Sequence, residues 1–263
     1  MSRRQQVVAG GRRLEYEWVG PPPSRAPALV FLHDGLGCVE TWRDFPRLLA
    51  GSLGCGALVY SRAGYGGSEA VAAPLSPRFM HDEALVVLPE LLAAAGVGEA
   101  VLVGHSDGAS IALIFAAGPG AAGGRVRALI AEAPHSFVEP LCVQRIARMR
   151  AEYPPSALAE RMARVHGANA GRCFARWAEV WLSPEFRDWN IEPLLPAVAC
   201  PILVVQGKQD DFGTVAQVRA IETQAGGAVE SVIVPGCGHT PHHQRRPAAL
   251  AAMVEFLARA LAR

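Results

Sequence analysis

Short runs of uninterrupted apolar residues, separated by longer Ala- and Leu-rich stretches, constrain the fold of this chain more than any other feature. The clearest runs are Ala28–His33, Ala57–Tyr60, Ala100–Gly104, Arg127–Ala131, Pro201–Val205 and Glu230–Val234. A strand with one wet face alternates apolar and polar residues, whereas most of these do not alternate, so both of their faces must be covered. The stretches between them, including Phe79–Ala95, Ser106–Ala117, Val215–Gln224 and Pro247–Ala262, carry helical spacing. Strand and helix in alternation imply right-handed crossovers, hence an α/β fold with a mostly parallel, helix-flanked central sheet. Gln5–Ala9 and Leu14–Val19 flank Gly10-Gly11 and read as an antiparallel hairpin at one edge of that sheet.

The alternation lapses between Pro134 and Pro196, where Trp177, Trp181 and Trp189 sit among helical patterning without a convincing strand. That is too long for a single connection, and a helical cap insertion over one end of the sheet is expected. The division is therefore 1–133 for the first part of the core, 134–196 for the cap and 197–263 for the second part of the core. A chain of 263 residues buries enough surface to need no disulfide or metal staple. Apart from the loop Gly20–Ser24, no low-complexity linker separates these parts.

The most informative motif is Gly104-His105-Ser106-Asp107-Gly108, a Gly-x-Ser-x-Gly between an apolar strand and an apolar helix. Glycines on either side of the serine permit a sharp strand-to-helix turn that lifts the hydroxyl to a helix N-terminus, where backbone N–H groups favour a developing oxyanion. The ordinary alternative is a serine that caps the helix. Downstream, Pro235-Gly-Cys-Gly238-His239 follows one apolar run, and Gln206-Gly207-Lys208-Gln209-Asp210-Asp211 follows another. A histidine can take and return a proton near neutral pH, and a carboxylate can orient it.

In this arrangement the chain resembles the α/β-hydrolase family over nearly its whole length. The resemblance implies Ser106 as nucleophile, His239 as base and Asp210 as orienting acid, because the family pattern Gly-x-x-Asp selects Asp210 over Asp211. Asp211 would then cap the following helix. The turn His33-Asp34-Gly35-Leu36 corresponds to the family's oxyanion loop, with Gly35 as donor, Leu36 as fallback and Asp107 N–H as the second donor. Asp34 stands where the family has glycine, and His33 is expected to pin the loop. Tyr60–Ser68 resembles the family's Asp-x-x-Gly-x-Gly-x-Ser loop with Ser61 in place of the aspartate, and is expected to be architectural. It lacks the Lys of a phosphate loop and opens no helix. His242 and His243 are expected at the rim or in solvent. Leu36 and Trp181 are expected to line the substrate pocket. Asp34 and Asp107 bring two carboxylates towards the reaction centre, to contact the substrate or, for Asp107, simply to start a helix.

The expected activity is hydrolysis of a small or medium, largely apolar ester, lactone or thioester, with no metal or organic cofactor. Epoxide hydrolases and dehalogenases are disfavoured, since those members of the family place aspartate where Ser106 stands. Two rivals are a ligand-sensing receptor and a non-hydrolytic lyase or cofactor-free oxygenase that uses His239 and Asp210 as its base. A net charge of +1 and only isolated Arg pairs (Arg3–Arg4, Arg12–Arg13, Arg245–Arg246) give no case for nucleic acid or an anionic membrane. The partner is a small-molecule substrate. Six cysteines without Cys-x-x-Cys spacing argue for reduced thiols rather than zinc or redox chemistry. Without a signal-like N-terminus or an apolar span of about 18–20 residues, a cytoplasmic location is expected.

Overall fold

The computed structural model describes residues 4–23 and 27–262. Met1–Arg3, which hold the start of the N-terminus read for a signal and one member of the first Arg pair, and Ser24 of the proline loop lie outside the described residues. The strands are β1 (Gln5–Ala9), β2 (Arg12–Val19), β3 (Ala28–Leu32), β4 (Ala57–Tyr60), β5 (Ala100–His105), β6 (Val126–Glu132), β7 (Ile202–Gly207) and β8 (Val229–Val234). They form one sheet in the order β1-β2-β4-β3-β5-β6-β7-β8, parallel throughout except for β1 and β2. The edge hairpin is present, and β2 is two residues longer than expected. Gly10 and Gly11 both hold positive φ, so the ladder starts directly at the Ala9–Arg12 pair.

Both faces of the sheet are covered, which is why its central strands are apolar without alternation. On one side Leu29, Phe31, Val101, Val103, Ile130 and Leu203 pack under α1 (Phe45–Leu53) and α10 (Arg246–Leu261). On the other, Val30, Leu32, Leu102, Leu129 and Val204 meet α3 (Leu88–Ala94) and α4 (Asp107–Ala117). Helix α4 is buried on every side from Asp107 to Ala116, and the Gly-x-Ser-x-Gly motif lies where β5 turns into it. Strand β8, at the far edge, is half-exposed.

The stretch expected as one helix over Phe79–Ala95 is interrupted. A short α2 (Phe79–Asp82) passes into a π-turn at Glu83–Val87 before α3 begins. Pro89 lies in the first turn of α3. It has no N–H to give and crowds the preceding turn, and the wider π-turn relieves both. Between β6 and β7 the chain forms α5 (Pro140–Glu152), α6 (Ala157–His166) and α7 (Ala170–Leu182) with short 3-10 turns. Its only β pairing among the described residues is one isolated bridge, Phe137 to Asn190. The two remaining α-helices are α8 (Val215–Gln224) and α9 (Pro241–Gln244). All six cysteines are free thiols. No helix is long and apolar enough to cross a membrane, and no cluster of candidate metal ligands occurs among the described residues.

Candidate active site

Ser106 sits between β5 and α4 with φ 54° and ψ −120°, a left-handed conformation that side chains resist. The surroundings hold it there. Its N–H donates to the Glu132 carbonyl at 2.9 Å, and its own carbonyl accepts from Ala109 N–H at 2.9 Å. The flanking glycines are required by contact. A Cβ on Gly104 would strike the Gly108 backbone, and one on Gly108 would strike the carbonyl oxygens of Leu32 and His33. Although Ser106 occupies the N-cap position of α4, its hydroxyl makes no cap bond. It points instead to His239, whose Nε2 lies 2.9 Å from the Ser106 Oγ.

His239 follows β8 on the turn before α9, and its Nδ1 donates to Asp210 at 2.8 Å and 3.0 Å from the two carboxylate oxygens. With the proton on Nδ1, the Nε2 lone pair faces the Ser106 hydroxyl. Asp210 is also fixed by Gln206 Nε2 at 2.8 Å and by the Phe212 N–H at 2.8 Å. Burial alone would push the imidazole of His239 down, but the Asp210 carboxylate outweighs it and holds the pKa above its ordinary value. Burial likewise works to raise Asp210, and the facing His239 and the Phe212 N–H reverse that, leaving it below the usual carboxylate range.

Asp211 is placed differently. It pairs with Arg145 at 2.7 Å and is half-exposed. It does not cap α8, since Thr214 does so through its own hydroxyl to Ala216 N–H.

The Ser106 and His239 side chains open onto a cavity of about 630 Å³, walled by Gly35, Leu36, Asp107, His135, Trp177 and Trp181, with apolar side chains from α5 and α6 beyond them. The N–H groups of Gly35 and Asp107 find no acceptor among the described residues. Leu36 N–H, by contrast, lies 3.3 Å from the Asp34 carboxylate, and Gly37 N–H donates to the Asp34 carbonyl at 3.2 Å. Asp34 thus folds the turn that family members make with glycine. A Cβ on Gly35 would run into the Trp177 indole nitrogen, so glycine is needed there too. Asp107 is buried, with Arg62 3.9 Å from its Oδ2. Burial pushes its carboxyl up to about 6, against the pull of Arg62.

Around these groups lies a supporting layer that the sequence only partly revealed. His33 does pin its loop: Nε2 accepts from Arg62 N–H at 3.0 Å and Nδ1 donates to the Asp34 carbonyl at 2.7 Å. The Tyr60–Ser68 loop lacks the family's aspartate, but Glu15 on β2 supplies a carboxylate. It accepts from the Ser61 hydroxyl at 2.8 Å and the Gly67 N–H at 2.9 Å. His242 corrects the expectation of a rim or solvated residue. It is buried, and both its N–H and its Nδ1 donate to Glu132 at 2.6 Å. His243 is half-buried and donates from Nε2 to the Thr41 carbonyl at 2.8 Å, so it too is tied down. His105 donates to the His239 carbonyl at 2.7 Å. Sequence reasoning did not single out Glu132, Arg62 or His135. An acidic residue ending an apolar strand, as Glu132 does, was the one available signal.

Over residues 29–253 the chain matches the model of the Alpha/beta hydrolase family, and it belongs to that family. No curated protein matches it. Among solved structures it is similar to an esterase from a Rhodococcus species, at 20% identity over 98% of this chain and 99% of that one, with a TM-score of 0.71. It is similar to an enol-lactonase from Burkholderia xenovorans at 22% identity, over 97% of this chain and 100% of that one, with a TM-score of 0.70. Epoxide hydrolases from metagenomes of hot environments share 21% identity over 98% of this chain and 99% of that one, with a TM-score of 0.74. At these identities the likeness is one of fold.

Proposed function

We propose that this protein is a serine hydrolase that cleaves small or medium carboxylic esters, lactones or thioesters through an acyl-enzyme on Ser106. The observation that carries the reading is the unbroken hydrogen-bonded chain from Ser106 through His239 to Asp210. In the first half-reaction His239 Nε2 takes the Ser106 proton as Oγ attacks the substrate carbonyl. The oxyanion is held by the free N–H groups of Gly35 and Asp107, and the imidazolium returns its proton to the leaving oxygen or sulfur. Water then attacks the acyl-enzyme, with His239 again taking the proton and passing it to Ser106. Asp210 stays ionised and stabilises the imidazolium.

The cavity volume suits a ligand of modest size. Residues 134–196 serve as its cap, with Met149, Leu158 and Met162 offering an apolar wall to the acyl or alcohol group. Serine at the nucleophile position separates the reading from epoxide hydrolysis, despite the shared fold.

The test is turnover of a short-chain aryl ester by the wild type and by Ser106→Ala. Activity should fall by about 10⁴-fold or more in the variant. An active Ser106→Ala protein would contradict the reading and favour a lyase or oxygenase using His239 and Asp210 alone.

A further inference from the structure

The inner wall of the cavity is more polar than an apolar substrate needs. Setting aside Trp42 and His243, whose rings pack on His242, and Arg145, which pairs with Asp211, four of its lining residues carry a buried side-chain atom with no hydrogen-bond partner among the described residues: Asp107 Oδ2, Trp177 Nε1, Trp181 Nε1 and His135 Nδ1. Their residues are buried to between 1% and 5% exposure, so bulk solvent does not serve them. Buried polar atoms are almost always paired, and those that are not call for a partner the protein itself lacks.

These atoms lie together around Ser106. Asp107 follows the serine directly, and Trp181 lies close enough to act on the Asp107 carboxyl as a donor without closing a bond of normal geometry. The Trp177 indole nitrogen rests against Gly35. The His135 ring packs 5.0 Å from that of Trp181 and 5.9 Å from that of His239. Trp189 also has an unpartnered indole, but it lies off this cavity, stacked on Phe186.

We propose that Asp107, Trp181 and Trp177 form a hydroxyl-recognition subsite, and that the substrate is an ester bearing a free hydroxyl near its scissile carbonyl. The inference rests on the hydrolase reading for the word ester and on the cavity wall for the word hydroxyl. An indole N–H needs an acceptor and a carboxylate needs a donor, and a hydroxyl provides both on one oxygen. A ketone would leave the carboxylate bare. A carboxylate ligand would be repelled by it. A cation is not required, because Arg62 already balances the Asp107 charge from 3.9 Å. A site of this kind discriminates strongly against an analogue that lacks the hydroxyl, since its own polar groups are then left unpaired.

The test compares matched pairs of esters. Para-nitrophenyl butyrate and para-nitrophenyl β-hydroxybutyrate place the hydroxyl in the acyl half. Propyl butyrate and hydroxypropyl butyrate place it in the alcohol half. In one pair the hydroxylated member should have a kcat/KM about 30-fold or more higher. Trp181→Phe, which removes the N–H together with the pyrrole ring, should cut that ratio by roughly 10-fold, while Trp189→Phe should leave it in place. The same pairs are titrated onto Ser106→Ala by tryptophan fluorescence, which reads binding without hydrolysis. If no ester is turned over but the hydroxylated member binds more tightly, the subsite stands and the hydrolase reading falls. Ratios near one in both pairs, in turnover and in binding, overturn the subsite and leave the hydrolase reading untouched. A preference that survives Trp181→Phe in full overturns it equally.

Discussion

Replacing Asp107 with asparagine should stabilise the fold at alkaline pH and leave it nearly unchanged in acid. The carboxyl lies at about 6 in the folded protein against an ordinary 3.8, and the opposing pull of Arg62 is already contained in that value. The folded state therefore holds a proton that the unfolded chain releases between these two pH values, so stability falls as pH rises through that window and then stays level. Two pKa steps at about 1.36 kcal/mol each give a penalty of about 3 kcal/mol for the ionised group. Asparagine cannot ionise, so at pH 8 the variant should be more stable than the wild type by up to about 3 kcal/mol, and near pH 4 by almost nothing. For a chain of this length that is on the order of 5 °C in Tm. Thermal unfolding of both proteins at several pH values gives the difference directly. A gap that does not change between pH 4 and 8, or a variant less stable at pH 8, would refute the account of Asp107 as a carboxyl held ionised against its burial.

Other outcomes follow from the same geometry. His239 must be neutral to accept the Ser106 proton, and its raised pKa keeps it protonated to higher pH, so the acid limb of kcat/KM should have its midpoint above the ordinary value of about 6.5. Asp210→Asn should lower kcat by about 10³–10⁴-fold and move that limb to lower pH, since burial is then opposed only by the weaker pull of Asp34 and Asp211 on His239. Asp211→Asn, which breaks only an ion pair with Arg145, should change kcat less than about threefold in the same assay. Glu132→Gln takes the carboxylate from the buried His242 and should cost about 1.5–3 kcal/mol in urea unfolding at neutral pH. Gly108→Ala should abolish soluble expression or lower Tm sharply, because its Cβ has no space beneath Leu32 and His33.

The parallel sheet was legible because burial on both faces leaves an unmistakable mark: five-residue strands such as β3 with no polar position at all. Helix α1 went unremarked because it is only nine residues long, with a proline at its start and Gly51 inside it. Residues Phe79–Ala95 look helical throughout, but the hydrophobic period cannot report the extra residue that a π-turn inserts ahead of Pro89.

At the site, local motifs were readable and long-range pairs were not. The serine turn announces itself through glycines whose spacing is dictated by contact. The choice between Asp210 and Asp211 turns on which carboxylate the backbone of Phe212 and the side chain of Gln206 hold towards His239. Glu132 and His242 meet across 110 positions of chain and belong to no motif. Glu15 is hidden in the same way: it stands on β2, one strand in from the sheet edge, yet its carboxylate meets the Ser61 hydroxyl 46 residues later in the chain.

The central claim is that Ser106 forms a covalent acyl intermediate. Treating the wild type and Ser106→Ala with a fluorophosphonate and mapping the adduct by mass spectrometry tests it most directly. The account predicts a single adduct on the peptide bearing Ser106 in the wild type, its loss in the variant, and loss of ester turnover along with it. A wild type that hydrolyses esters without being labelled at Ser106, or a label that persists in Ser106→Ala, would contradict it.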